Sequence, residues 1–461
     1  MFIYCKINYL CQKEQKTMSK RILTLLLLAC SALSLGAQGY VPAESNIAAR
    51  KEFTQKRLGI FIHWGIYASY AQGEWYLHLG ELNKDEYAKA AASFNPVGFN
   101  ADEWVAAFKD AGAGYMTFTS RHHDGFSMFK TATSPYNVVD GTPFGRDIVG
   151  ELEKACKEGG IRLHLYYSLL DWIREDYPIG ESGKKTGRKG GQENYDSYFR
   201  FMETQVKELL TQYPYTSALW FDGIWDHKRD QIPFDWRMPE FYRYIHSLRP
   251  DCLIGNNHHI VPFEGEDFQM FERDLPGQNT AGYSEGQQMS TVMPVEMCQT
   301  MNKSWGYTVK DLNYKSTAEL VRLLVKAAAK GCNLLLNIGP QADGRIPWQS
   351  AERLKGIGAW MRTHARSVDG TGISGLPDQG WGVTTANAES IFLHVIVPEA
   401  LPTNGREAIL TMGWNGPKVK TVKVVGTGAS LPCTVSKDGF LTVRIPQEMV
   451  EEIDTVLEVT R

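Results

Sequence analysis

The chain has 461 residues, with 49 Lys and Arg against 52 Asp and Glu, giving a formal charge of −3 at pH 7. That length holds more than one hydrophobic core, and the near-balanced charge, with no basic run in the mature region, gives no electrostatic footprint for nucleic acid. Its 12 Trp and 21 Tyr supply amphipathic rings of the kind that stack on sugars, although a large barrel buries many of them for packing alone.

In chain order, Met18-Ser19-Lys20-Arg21 is a short basic start followed by the apolar Ile22 to Ala29 and small residues through Ala37, the layout of a secretory signal. Residues 1–37 are therefore expected to be an upstream extension and signal peptide, with Met18 the better start than Met1. Cleavage after Ala37 would export the chain to the periplasm. A lipid anchor at Cys30 is the alternative, disfavoured by Leu28 in its lipobox-like approach. The apolar stretch is too short for a mature spanning helix, and no other segment could cross a membrane.

From residue 38 apolar, strand-like runs end in polar clusters. Leu58 to Ile62 leads into His63-Trp64-Gly65, Tyr115 to Thr119 into Arg121-His122-His123-Asp124, and Ile161 to Leu165 into Tyr166-Tyr167-Ser168. Ala218 to Phe221 delivers Asp222-Gly223, Cys252 to Gly255 delivers Asn256-Asn257-His258-His259, and Asn333 to Leu336 delivers Asn337. Helical patterns separate them, over Asp102 to Gly112, Arg146 to Glu158, Tyr195 to Tyr213, Pro239 to Leu248, Thr317 to Lys330 and Ala351 to Arg366. Alternating buried strands and amphipathic helices predict an α/β fold, an irregular (β/α) TIM-like barrel over residues 38–368, with about six units legible. A barrel keeps its chemistry at the strand ends, where these clusters lie.

The Gly-rich stretch Gly180 to Gly191, with Lys184, Lys185, Arg188 and Lys189, reads as a solvated loop rather than an anion site. After the turn-rich Asp369 to Pro377 the pattern becomes short β-branched runs, Ser390 to Val397, Val419 to Val425, Gly439 to Ile445 and Thr455 to Val459. Residues 369–461 are thus expected to form a C-terminal antiparallel β-sandwich that braces the barrel. Five cysteines follow the signal, widely spaced and with no C-x-x-C pair, which predicts free thiols and neither zinc knuckle nor disulfide framework.

Taken together, Phe61-Ile62-His63-Trp64-Gly65, Gly73-Glu74-Trp75-Tyr76, His122-His123-Asp124-Gly125-Phe126, Tyr166-Tyr167-Ser168, Trp220-Phe221-Asp222-Gly223 and Ser304-Trp305-Gly306-Tyr307 resemble the motifs of the glycoside hydrolase family 29 α-L-fucosidases, in that family's order. The resemblance spans about Glu52 to Arg366. It implies hydrolysis of terminal α-L-fucose from fucosylated oligosaccharides or glycoconjugates, with retention, through a covalent fucosyl-enzyme, and without metal or cofactor. By the same resemblance Asp222 is the nucleophile, and Glu272, at the end of Asp267 to Glu272 in what reads as a loop over the barrel mouth, is the acid/base. Glu296 ranks second for that role, with Glu264 and Glu266 behind it, and also matches a sugar-binding position. His63, Glu74, Trp75, His122, His123, Tyr167, Trp220 and Trp305 are the implied sugar contacts. His258 stands in for an Arg that many members carry after the fifth strand. Two rival readings remain at this stage: a metal-dependent hydrolase built on His63, His122, His123, Asp124 and Asp222, and a non-catalytic fucose-binding protein.

Overall fold

The computed structural model describes residues 39–460; the expected signal segment, with Met18, Cys30 and Ala37, lies outside them. Eight parallel strands, β1 (Leu58–Ile62), β2 (Tyr115–Arg121), β3 (Arg162–Ser168), β4 (Thr216–Asp222), β5 (Leu253–Asn257), β6 (Gln269–Glu272), β7 (Val295–Thr300) and β8 (Cys332–Ile338), form one sheet in the order β5-β4-β3-β2-β1-β8-β7-β6. Helices Ala101–Asp110, Ile148–Gly159, Tyr195–Gln212, Met238–Leu248, Thr317–Ala329 and Trp348–His364 follow strands in the chain and cover the sheet's outer face. Most start on a side-chain cap: Asn100, Asp147 and Asn194 accept from the first turn, and Ser316 with Glu319 forms a capping box.

Because side chains alternate along a strand, each β-strand feeds two cores. Leu163, Leu165, Leu219, Phe221 and Ile254 face the helices, whereas Phe61, Tyr115, Tyr166, Trp220, Met270, Cys298 and Leu335 fill the barrel interior. The sixth and seventh strands were not legible as such in the sequence. β6 and β7 are short and carry Gln269, Glu272, Glu296 and Gln299 among their apolar residues. Asp267 to Glu272 is therefore not a loop over the mouth: its end is β6, a barrel strand, and Glu272 closes it.

No ladder joins β5 to β6, the two ends of the order. Asp267 bridges that seam. Its backbone N–H donates to the Ile254 carbonyl at 2.7 Å, and its Oδ2 accepts the Ile254 N–H at 2.7 Å. Its Oδ1 accepts from Arg50 at 2.6 Å, which ties the seam to the helix Glu44–Phe53. That helix stoppers the N-terminal end of the interior, where Phe53 packs on Tyr115, His164 and Phe268 at ring distances of 5.1, 5.6 and 5.0 Å.

The last barrel helix ends at His364, and eight further strands follow from Gly372. Five lie in one antiparallel sheet and three in another. Ser390–Val395 is buried on both faces: Ile391, Leu393 and Val395 face the three-stranded sheet, while Phe392 joins the core shared with the barrel helices. Cys156, Cys252, Cys298 and Cys332 are buried free thiols, and Cys433 is free and half-buried.

Removing one member of a buried ion pair leaves the other uncompensated and costs about 3–5 kcal/mol. Asp267→Ala, which also strips the Ile254 N–H of its acceptor, is expected to lower the midpoint of thermal unfolding by that scale of stability. Arg50→Ala, at the half-buried end of the pair, should cost less. An unchanged midpoint for Asp267→Ala would mean that the seam closes without it.

Candidate active site

At the C-terminal ends of the strands lies a cavity of about 480 Å³, within the usual size of a small-molecule site. Asp222 and Glu272 both line it, one from the end of β4 and the other from the end of β6. Gly223, directly after Asp222, has φ of +120° and lies against Leu170, so a side chain there would be strained and crowded. The turn it permits, Ile224–His227, returns Trp225 to the pocket, where its indole N–H donates to Asp222 Oδ1 at 2.9 Å. Tyr166 donates its hydroxyl to Oδ2 at 3.1 Å, and His123 Nε2 stands 3.6 Å from the same oxygen. Burial first, and the charge of Glu272 second, push the Asp222 carboxyl up to about 7. Burial alone would raise Glu272 too. The His259 hydrogen bond and charge outweigh it, and with Asn257 and Arg273 they hold Glu272 below its ordinary range.

Three imidazoles face this pair. His63 shares its Nδ1 with Asn337 Oδ1 at 2.7 Å, His123 shares its Nδ1 with Ser168 Oγ at 2.8 Å, and His122 stacks on Tyr166 with rings 5.3 Å apart. Burial pushes His63 down to about 3 and both others well below the usual histidine range. They are thus neutral hydrogen-bonding groups, and Asn337 and Ser168, rather than an ion, set two of their orientations. The expected convergence of neighbouring His122 and His123 depends on a register shift in β2 after Thr119, just before its end at Arg121. Glu74, raised by burial, accepts the Gly306 N–H at 2.7 Å and with Trp75 and Trp305 completes the walls.

Three expected contacts are elsewhere. Tyr167 points outward, by strand alternation, and donates to Gln205 on the helix behind it at 2.9 Å; its neighbour Tyr166 is the tyrosine in the pocket. His258 likewise turns away, with Nε2 2.9 Å from the buried Glu266, and His259 faces the cavity instead. Glu296 sits a layer lower in the interior, accepting from Tyr115 at 2.6 Å and Trp220 Nε1 at 2.9 Å, and burial pushes it up to about 7. It hydrogen-bonds the Trp220 wall from behind and is not among the residues that line the cavity. Of the other rivals to Glu272, Glu266 is taken up by His258 and Tyr242, and Glu264 is exposed outside the cavity.

Lys184, Lys185 and Lys189 of the Gly180 to Gly191 loop are exposed, as expected of a solvated segment, but the loop is also anchored to the barrel. Buried Asp226 accepts from Tyr177 at 2.8 Å and from the Ser182 N–H at 2.7 Å, Arg188 is buried, and Glu181 reaches the pocket rim. Trp225, Arg273 and Tyr283 also line the cavity without having been singled out in the sequence.

The family model for alpha-L-fucosidase matches residues 27–366. The chain belongs to that family. It is 30% identical to the tissue alpha-L-fucosidase of Rattus norvegicus over 75% of this chain and 76% of that one. It is 27% identical to the alpha-L-fucosidase of Dictyostelium discoideum over 89% and 92%. Among solved structures, alpha-L-fucosidase isoenzyme 1 from Paenibacillus thiaminolyticus superposes with a TM-score of 0.80 at 32% identity, covering 90% of this chain and 99% of that one. A Bacteroides thetaiotaomicron enzyme, 26% identical with a TM-score of 0.76 over 92% and 97%, was captured as a covalent intermediate with 2-fluoro-fucosyl fluoride in a glutamate-to-glutamine mutant. This family member is accordingly a glycoside hydrolase that acts on α-L-fucosides, and the metal-hydrolase and non-catalytic readings fall away.

The two tyrosines separate the pocket from its scaffold. Tyr166→Phe removes a hydrogen bond to the Asp222 carboxyl that becomes one to a charged group, worth about 1.5–3 kcal/mol, when Asp222 ionises to react, and kcat/KM for an aryl fucoside should fall correspondingly. Tyr167→Phe should leave kcat/KM unchanged and lower only stability, by about 0.5–1.5 kcal/mol. The reverse ranking in steady-state kinetics would exchange their places.

Proposed function

We propose that this enzyme removes terminal α-L-fucose from fucosylated glycans with retention, Asp222 acting as nucleophile and Glu272 as acid/base. The observation that carries the assignment is that these two carboxyls line one cavity from the ends of β4 and β6, where the charge of Glu272 helps to raise the Asp222 carboxyl. Retaining hydrolysis needs such a pair on opposite sides of the anomeric carbon. In the first step the Asp222 carboxylate attacks C1, the bond from C1 to the glycosidic oxygen breaks, and the Glu272 proton passes to that oxygen. In the second, Glu272 takes a proton from water, the water oxygen attacks C1, and the ester to Asp222 breaks. The imidazoles and Glu74 pair the sugar's hydroxyls, while Phe61, Trp220 and Trp305 offer apolar faces to a 6-deoxy sugar. The chain's amino-terminal pattern supports export to the periplasm as the setting for this activity.

In the empty pocket the pair's single proton favours Asp222, which meets neutral donors, over Glu272, which faces His259 and Arg273. Attack requires the other arrangement. Both arrangements hold one proton, so the exchange changes no net charge, and the positive character that develops at C1 in the transition state favours an ionised Asp222 beside it. The pair as a unit sets the pH response. It keeps one proton up to about 7 and loses it above, leaving no acid for the leaving group.

Activity on natural glycans should therefore fall as pH rises through about 7. With Glu272→Gln and a nitrophenyl fucoside, which departs without a proton, that basic limb should vanish, and the neutralised neighbour should let Asp222 ionise at lower pH. A basic limb that persists in Glu272→Gln assigns it to another group. Stereochemistry separates the two carboxyls. Azide should rescue Glu272→Ala through the covalent intermediate to give α-fucosyl azide, and rescue Asp222→Ala by direct displacement to give the β anomer. The opposite pairing in product NMR would interchange the roles.

A further inference from the structure

Glu272 is held asymmetrically. The Asn257 side-chain N–H donates to its Oε2 at 2.9 Å, and His259 Nε2 lies 3.1 Å from that same oxygen. Oε1 faces only Arg273, whose Nε is 4.0 Å away and whose guanidinium is occupied by the Lys303 carbonyl and the face of Trp305. Two donors on one carboxylate oxygen stabilise charge there and leave the proton to the other.

The chain goes to some length to deliver His259. Asn257 ends β5 facing inward, and His258 turns away, its Nε2 on Glu266 and its Nδ1 accepting the Ile260 N–H at 3.1 Å. His259 itself has φ of +61°, a left-handed conformation uncommon for a residue with a side chain. Its ring lies 5.4 Å from that of Tyr283, and its side chain is 11% exposed. Strained backbone aimed at a working carboxyl is a feature of functional sites more than of packing.

We propose that Asn257 and His259 are positioning residues for the acid/base: they clamp Oε2 of Glu272, so that Oε1 is the oxygen that gives its proton to the leaving group and recovers one from water. This rests on Glu272 being the acid/base. The charged and titratable groups around His259 are Glu272, Asp222, Arg273 and Tyr283, and none but Glu272 is within hydrogen-bonding distance of its ring.

The test compares methyl α-L-fucoside, whose leaving group needs a proton, with nitrophenyl α-L-fucoside, whose leaving group does not. His259→Ala and Asn257→Ala should each lower kcat/KM, which reports the step that expels the leaving group, at least about tenfold more on the methyl fucoside than on the nitrophenyl fucoside, within the range of general acid help. His259→Gln, which keeps an N–H donor, should recover part of the loss, and serves with Asn257→Ser if the alanine variants do not fold by circular dichroism. Asn257→Asp supplies a second readout: a further carboxylate against Oε2 raises the proton affinity of Glu272, so the basic limb should move to higher pH. Equal losses on both substrates, or none, would overturn the proposal. Glu272→Ala is the control. If it shows the leaving-group bias and the clamp variants do not, only this inference fails; if Glu272→Ala shows no bias, the acid/base assignment fails with it.

Discussion

A parallel strand presents every second side chain to one face, and in this molecule eight strands share an interior, so each residue's position in its strand decides whether it does chemistry or packs against a helix. Tyr166 and Tyr167 are neighbours of the same type with opposite fates: one donates to Asp222 in the pocket and the other to Gln205 on a helix. The same alternation separates Asn257 from Asn256, and at the end of β5 His259 from His258. The site follows from which parity the last residue of each strand has. It holds only as long as the barrel is closed, which across the β5 and β6 seam depends on Asp267.

Within that interior the dominant electrostatic effect is loss of water. Burial disfavours charge on His63, His122, His123 and Glu74, so the wall these groups form beside Asp222 is neutral or nearly so. The low local dielectric strengthens the mutual repulsion of Asp222 and Glu272 and makes a single shared proton the stable condition. Their surroundings differ in kind. Asp222 receives neutral O–H and N–H donors, whereas Glu272 meets an imidazole and a guanidinium. Those unequal shells distinguish two chemically similar groups, in keeping with the different roles proposed for them.

The outer parts secure the rim. Asp226, fully buried, links the turn carrying Trp225 to the Gly-rich segment carrying Glu181, so the rim beside Asp222 is braced by a polar hub. The C-terminal sheets pack against the barrel helices. Phe392 and Val456 enter the core shared with the barrel helices, and the buried His394 and Asp454, 2.8 Å apart, satisfy each other beneath them.

The sequence by itself determined the fold class, the family and the identity of the principal groups. Those signals are local: apolar runs with polar ends, amphipathic stretches between them, and six ordered motifs whose chemistry is legible in a line of residues. Asp222, Glu272, His63, His122, His123, Glu74, Trp75, Trp220 and Trp305 were all named from it and all touch the cavity or form its wall. Parity could have been carried one step further, since counting back by twos from Asp222 and pairing β3 with β4 in register selects Tyr166 rather than Tyr167. What only the tertiary structure decided is non-local. β6 and β7 are too short and too polar to declare themselves, so Glu272 looked like a loop residue. Glu296 looked available until the interior layer placed Tyr115 and Trp220 on it. Trp225, Arg273 and Tyr283 reach the pocket from loops whose paths are set by contacts hundreds of atoms away in the chain, and no periodicity encodes where such a loop will come to rest.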